Sequence, residues 1–138
     1  MSLCFRKSLV YVGEGLFRKV YRLGNLAIKV KRWGHESSFN PLDYAKEEHA
    51  YQQWIRNARI MEFPEYYGVI VSANGRSCAI ISVHEYVEAK PSWFELLIFF
   101  LTLIPRLAMR GYTLDLRPSN FGKKDGKIVY LDEHGIGF

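Results

Sequence analysis

The chain reads as an α+β fold: five strands with one helix between the third and fourth, then a long apolar helix, a loop and a hairpin. Three observations predict it. Runs rich in β-branched and aromatic residues recur between turn residues from Ser8 to Val30 and from Tyr66 to His84. Asn40-Pro41-Leu42-Asp43 carries helix start signals. Trp93 to Met109, WFELLIFFLTLIPRLAM, is nearly apolar all round.

In chain order, Ser8–Gly13 (SLVYVG) is the first predicted strand. Gly13-Glu14-Gly15 is a turn whose missing side chains let backbone approach something closely. Phe17–Leu23 is the second strand, and Gly24-Asn25 turns the chain into the third, Asn25–Val30. Lys29 lies inside that apolar strand, where a lysine is costly unless it is paired or its ammonium reaches water. The helix that follows runs from Asn40, the N-cap, to about Ala58. Its apolar stripe is Tyr44, Tyr51, Trp54, Ile55 and Ala58. At 100° per residue Glu47 lies about 30° from the centre of that stripe and Glu48 about 70°. Either is a candidate partner for Lys29, Glu47 first, and both also read as ordinary surface carboxylates.

Tyr66–Val71 and Cys78–His84 are strands around Ala73-Asn74-Gly75, and Asn-Gly between such runs is a strong hairpin signal. Glu85–Lys90 is a linker, and Pro91-Ser92 opens the long helix. At about 17 residues with Glu95, Pro105 and Arg106 inside, that helix reads as buried in protein rather than as a transmembrane span. Asp125-Gly126 turns a second hairpin, and Ile128–Leu131 leads into Asp132.

Composition bounds the class. With 138 residues, 49% of them hydrophobic and 15% aromatic, the chain can bury a core and is not a disordered tail. The net charge of +5 would suit nucleic acid, acidic lipid or phosphate. There is no zinc-finger spacing and no RNP-type strand, which argues against nucleic acid. Cys4 and Cys78 form no motif and the N-terminus lacks a signal-peptide core, so a reducing, cytoplasmic setting is expected.

The chemistry-bearing stretch is Gly111 to Gly135, GYTLDLRPSNFGKKDGKIVYLDEHG. Asp115, Asn120 and Asp132 are two carboxylates and an amide on short loops beside a hairpin, a hard-oxygen set suited to Mg²⁺. Mg²⁺ with few protein ligands usually comes with phosphates. Asp, Pro and Asn in a loop also make ordinary turns.

Asp-Leu-Arg-Pro-Ser-Asn resembles the D-L-x-x-x-N part of the protein-kinase catalytic loop. Gly13-Glu14-Gly15-Leu16-Phe17-Arg18-Lys19-Val20 resembles the glycine-rich loop G-x-G-x-x-G-x-V, with Arg18 where the third glycine belongs. Ala27-Ile28-Lys29 resembles the V-A-I-K strand, and a helix glutamate follows eighteen or nineteen residues later. His84-Glu85-Tyr86-Val87 resembles the hinge. The chain is thus similar to the protein-kinase-like superfamily, most of all to small bacterial kinase-like proteins such as the family named for the PhoP regulatory network.

That resemblance implies a five-stranded antiparallel small lobe with one αC-type helix over residues 1–84, a hinge over 85–90, and a truncated large lobe over 91–138. It implies an ATP-dependent phosphotransferase acting on a hydroxyl acceptor it does not identify. Gly13, Gly15, Val20 and Ala27 would border the nucleotide, and backbone groups of Glu85 and Val87 would hold the adenine. Lys29, oriented by Glu47 (or Glu48), would contact the phosphates. Asn120 and Asp132 would bind Mg²⁺, Asp115 would orient the acceptor hydroxyl, and Arg117 would reach the transferred phosphate. Thr113-Leu114 stands in place of His-Arg, so the resemblance implies no control through a phosphorylated activation loop. Asp132-Glu133-His134-Gly135 has one residue more than Asp-Phe-Gly. No counterpart of the activation segment, A-P-E or the later helices lies in the 138 residues. An exposed apolar face on the Trp93–Met109 helix is therefore expected, open to self-association or a protein partner. A pseudokinase module and a kinase-unrelated basic α+β protein are the competing readings.

Overall fold

The structure, a computed structural model, describes residues 9–14, 18–34, 40–73 and 77–137. Cys4, Gly15 and the Asn74-Gly75 turn lie outside the described residues. Two compact units divide the chain: residues up to Gln53 with Glu65–Tyr86, and Trp54–Pro64 with the residues from Val87 onward.

The first unit is built on a five-stranded antiparallel sheet in the order β1-β2-β3-β5-β4. Its strands are β1 (Leu9–Glu14), β2 (Lys19–Leu23), β3 (Leu26–Gly34), β4 (Tyr66–Ala73) and β5 (Ser77–Glu85). β3 pairs along its whole length with β5, so it runs four residues beyond the expected end at Val30. Gly24 takes φ +59 in the β2–β3 turn, a conformation only glycine adopts freely. The sheet register sets Val20 opposite Lys29 and Lys29 opposite Ser82, so these three share one face. Ala27 and Lys31, two residues either side of Lys29, lie on that face as well.

Between β3 and β4 comes α1 (Pro41–Asn57). Asn40 caps it as expected: its Oδ1 accepts from the Leu42 N–H at 3.1 Å. The buried face differs from the expected one. Tyr44 and Trp54 are exposed, whereas Ala45, Glu48, Gln52 and Ile55 are buried. The polar members of that face tolerate burial because they bond each other, Gln52 Nε2 donating to Glu48 Oε1 at 2.9 Å. The end of α1 is held by Arg110, whose guanidinium donates to the carbonyls of Ala58 (2.8 Å) and Arg59 (3.2 Å).

The second unit is built on α2 (Trp93–Arg110) and the hairpin β7 (Phe121–Lys124)–β8 (Lys127–Tyr130), with a short pair of β6 (Thr113–Leu114) and β9 (Ile136–Gly137). Ser92 and Glu95 form a full capping box at the start of α2, and Gly111 ends it at φ 75. Asp125 and Gly126 take φ 51 and 79, the two left-handed residues of the turn expected from Asp-Gly. Leu96, Leu103 and Leu107 are buried, as are Phe121, Val129 and Tyr130 of the hairpin. The Phe121 ring sits edge-on to Phe100 at 5.3 Å and is 5.4 Å from Tyr130. Among the described residues no helix is long and apolar enough to cross a membrane.

The mixed architecture matches the predicted fold class: a five-stranded antiparallel sheet, one helix between its third and fourth strands, and a long helix with a loop and hairpin.

Candidate functional site

The expected site residues fall into two groups, one in each unit. In the first unit, Val20, Ala27 and Lys29 share one sheet face, and Lys29 is only 9% exposed. Burying an ammonium on a strand demands compensation. A carboxylate is available on α1, and the side chain turned inward is Glu48, 7% exposed, whereas Glu47 is exposed at the surface. Both carboxylate oxygens of Glu48 have partners. The carboxylate takes Gln52 on Oε1 and an ion pair from Arg18 Nη2 on Oε2 at 3.1 Å. Arg18 is the residue that stands in place of the third glycine, so the departure from the motif brings a guanidinium to the helix glutamate.

Glu47, Glu48, Tyr44 and Tyr51 of α1 face Arg18, Lys31 and Ile80 across a cavity of about 420 Å³. Burial lowers the pKa of the Lys31 ammonium, and the Arg18 charge lowers it further. Gly13 pairs with Val20 just past a bulge in β1. Among the described residues a Cβ there would meet nothing within 4 Å. Glu85 closes β5, its N–H bonded to the Glu65 carbonyl at 2.8 Å, and the Tyr86 N–H bonds to the Asn25 carbonyl at 2.8 Å.

In the second unit the loop after α2 is held residue by residue. β6 pairs with β9 and delivers Asp115 beside the Asp132–Gly135 turn. The Asp115 backbone N–H donates to the Tyr130 hydroxyl at 3.2 Å, and that hydroxyl donates to the Gly135 carbonyl at 3.3 Å. Tyr130 is fully buried and so ties both loops to the hairpin. Sequence reasoning missed this role, although a buried tyrosine must find partners for its hydroxyl. Pro118 starts a 3₁₀ turn, and Asn120 Nδ2 donates to the Asp115 carbonyl at 3.1 Å. The Asn120 carbonyl in turn accepts from the Leu131 N–H at 2.8 Å, which sets Asp132 next to the Asn120 end of the hairpin. Val87 packs on the same hairpin: a Cβ on Gly122 would come within 2.8 Å of Val87 Cγ1.

Asp115 and Arg117 form an exposed pair. Arg117 Nε lies 3.0 and 2.8 Å from the two Asp115 oxygens, and Nη2 bonds Oδ2 as well. Hydrogen bonding from Arg117 holds the Asp115 carboxyl down at about 2. Asp115 in turn raises the Arg117 pKa, with a smaller contribution from the Asp132 charge.

Asn120 and Asp132 offer an amide oxygen and a carboxylate, the hard donors Mg²⁺ takes. Room for the Asp132 carboxylate exists because Gly135 has no side chain: a Cβ there would lie 2.6 Å from Asp132 Oδ2 and 2.7 Å from the Tyr130 hydroxyl. Among the described residues no group of three or more His, Cys, Asp and Glu side chains is placed to hold a metal.

The chain is similar to part of a solved structure of the bifunctional kinase-methyltransferase WbdD, with 16% identity and a TM-score of 0.46. The likeness covers 92% of this chain and 32% of that one, so this chain spans about a third of that protein's length. No family model matches the chain, and no curated protein matches it.

Proposed function

We propose that the chain is an ATP-dependent phosphotransferase of the protein-kinase-like kind, acting on a hydroxyl acceptor. One observation carries most of this reading. The Asp115–Asn120 loop is closed on itself by the 3.1 Å bond from the Asn120 amide to the Asp115 carbonyl. That bond uses the amide nitrogen and leaves the amide oxygen for a cation, while the Asp115 carboxylate stands at the loop's start. Preorganised donors of this kind are what phosphoryl transfer asks of a protein.

In this reading Lys29 contacts the nucleotide phosphates from the sheet face it shares with Val20 and Ala27. Gly13, without a side chain, lets the β1 backbone come close to them. Backbone groups of Glu85 and Val87 hold the base. Asn120 and Asp132 hold Mg²⁺, which when bound supplies positive charge against the phosphate oxygens. Asp115 orients the acceptor hydroxyl by accepting its hydrogen bond. With a pKa of about 2 it is a weak base, so its contribution is positional. The acceptor oxygen forms its bond to the γ-phosphorus as the bond to the bridging oxygen breaks, ADP leaves, and the hydroxyl proton is released to water. Arg117, 77% exposed, is free to swing from Asp115 to the transferred phosphoryl group.

A second reading, a pseudokinase that binds a nucleotide or a partner without transfer, is favoured by the Arg18–Glu48 pair. That pair places a guanidinium on the helix carboxylate from the position that a glycine-rich loop would give to its third glycine. Magnesium-dependent release of ADP from ATP separates the two. Asp115→Ala should lower a phosphotransferase's rate about 10²-fold through lost positioning while ATP still binds. For a pseudokinase there is no rate above background to lose.

A further inference from the structure

The helix α2 is apolar on two opposite sides, and only one of them is covered. Leu96, Leu103 and Leu107 are buried in the second unit. Across the helix, Trp93, Phe94, Leu97, Ile98, Leu101, Ile104 and Met109 are all exposed, from 48% for Ile98 and Ile104 to 89% for Met109. With exposed Pro105 and Ala108 they fill an arc of about 160° that contains no polar side chain. The polar residues Glu95, Thr102, Arg106 and Arg110 all lie on one flank. An apolar surface of this kind on a soluble domain marks an interface.

We propose that this face is the interface of a two-fold homodimer in which α2 packs antiparallel against α2 of a second copy. Three features favour a second copy. Phe94, Leu97, Leu101, Ile104 and Ala108 follow the 3-4-3-4 spacing of a helix-pairing seam. The seam is self-complementary in size about Leu101. Reversing the helix places Leu101 against Leu101, Leu97 near Ile104, and the largest member, Phe94, against the smallest, Ala108. The area is also sufficient. A stable interface buries about 800 Å² per partner, and seven large side chains at on the order of 100 Å² each approach that. Lipid fits less well. A helix lying on a membrane carries a strongly charged polar face rich in basic residues, whereas the polar flank here holds one acidic and two basic side chains, Glu95, Arg106 and Arg110.

The test is sedimentation equilibrium of the 138-residue chain at tens of micromolar, with Leu101→Glu and Leu101→Lys variants. Leu101 is 69% exposed, so neither change should disturb the fold, and circular dichroism checks that. The wild-type chain should sediment at twice 16.1 kDa. Leu101→Glu alone and Leu101→Lys alone should be monomers, because each sets like charges against each other at the two-fold axis. Mixed one to one, the two variants should restore the dimer. A wild-type monomer overturns the proposal, whether it stays free in solution or binds phosphatidylcholine–phosphatidylserine vesicles. So do open-ended aggregates, a dimer that survives Leu101→Glu, and a mixture that fails to pair.

Discussion

Arg18 and Glu48 are joined across 30 positions of sequence: the guanidinium donates to the buried carboxylate at 3.1 Å, with 15% and 7% of the two side chains exposed. Removing the guanidinium takes a charge-assisted hydrogen bond away from a buried carboxylate. Arg18→Ala should therefore lower the unfolding free energy by about 1.5–3 kcal/mol, read from a urea transition. A loss below about 0.5 kcal/mol would mean that another cation holds Glu48 when Arg18 is gone.

The Asp115 carboxyl should titrate near 2 by carbon NMR. The sign follows from the folded value lying below the unfolded one, about 3.9. The pairing adds to stability above about pH 4, and the contribution is lost as pH falls through 2. Because the pair is exposed, the effect on stability is small and the chemical shift is the sensitive readout. Arg117→Ala should return the midpoint toward the ordinary carboxylate range. A wild-type midpoint near 4 would contradict the pair.

Gly135→Ala should disturb the Asp132 turn. The added Cβ would meet Asp132 Oδ2 at 2.6 Å and the Tyr130 hydroxyl at 2.7 Å. Overpacking of this kind costs about 1–3 kcal/mol. Calorimetry should find that loss, together with a weaker magnesium-dependent response to ATP. Wild-type stability in this variant would mean that the turn has room to spare.

The sequence made the local elements legible because their signals are local. Asn40-Pro41 and Pro91-Ser92 announce the two helix starts, and Asp125-Gly126 announces the hairpin, and all three behave accordingly. The rotation of α1 was not legible. Tyr44, Tyr51 and Trp54 form the more apolar stripe by composition, yet Glu48 and Gln52 are buried. What tips the balance is a partner far along the chain, Arg18, which no periodicity reports. The same holds for Tyr130, whose two loop partners are found only once β8 is paired and Asp115 is delivered by β6. The two-residue pairing of β6 and β9 carries almost no pattern of its own, and two residues are too few to show an alternation.

If Asp132 serves a magnesium-nucleotide site, the thermal unfolding midpoint should report it when measured with and without Mg²⁺ and ATP. ATP at 100 times its dissociation constant adds about 2.7 kcal/mol, which raises the midpoint of a domain this size by roughly 4 °C or more. That rise is expected with Mg²⁺ present and should be lost in Asp132→Ala. No rise at millimolar ATP, or one that persists without Mg²⁺ and in Asp132→Ala, would contradict it.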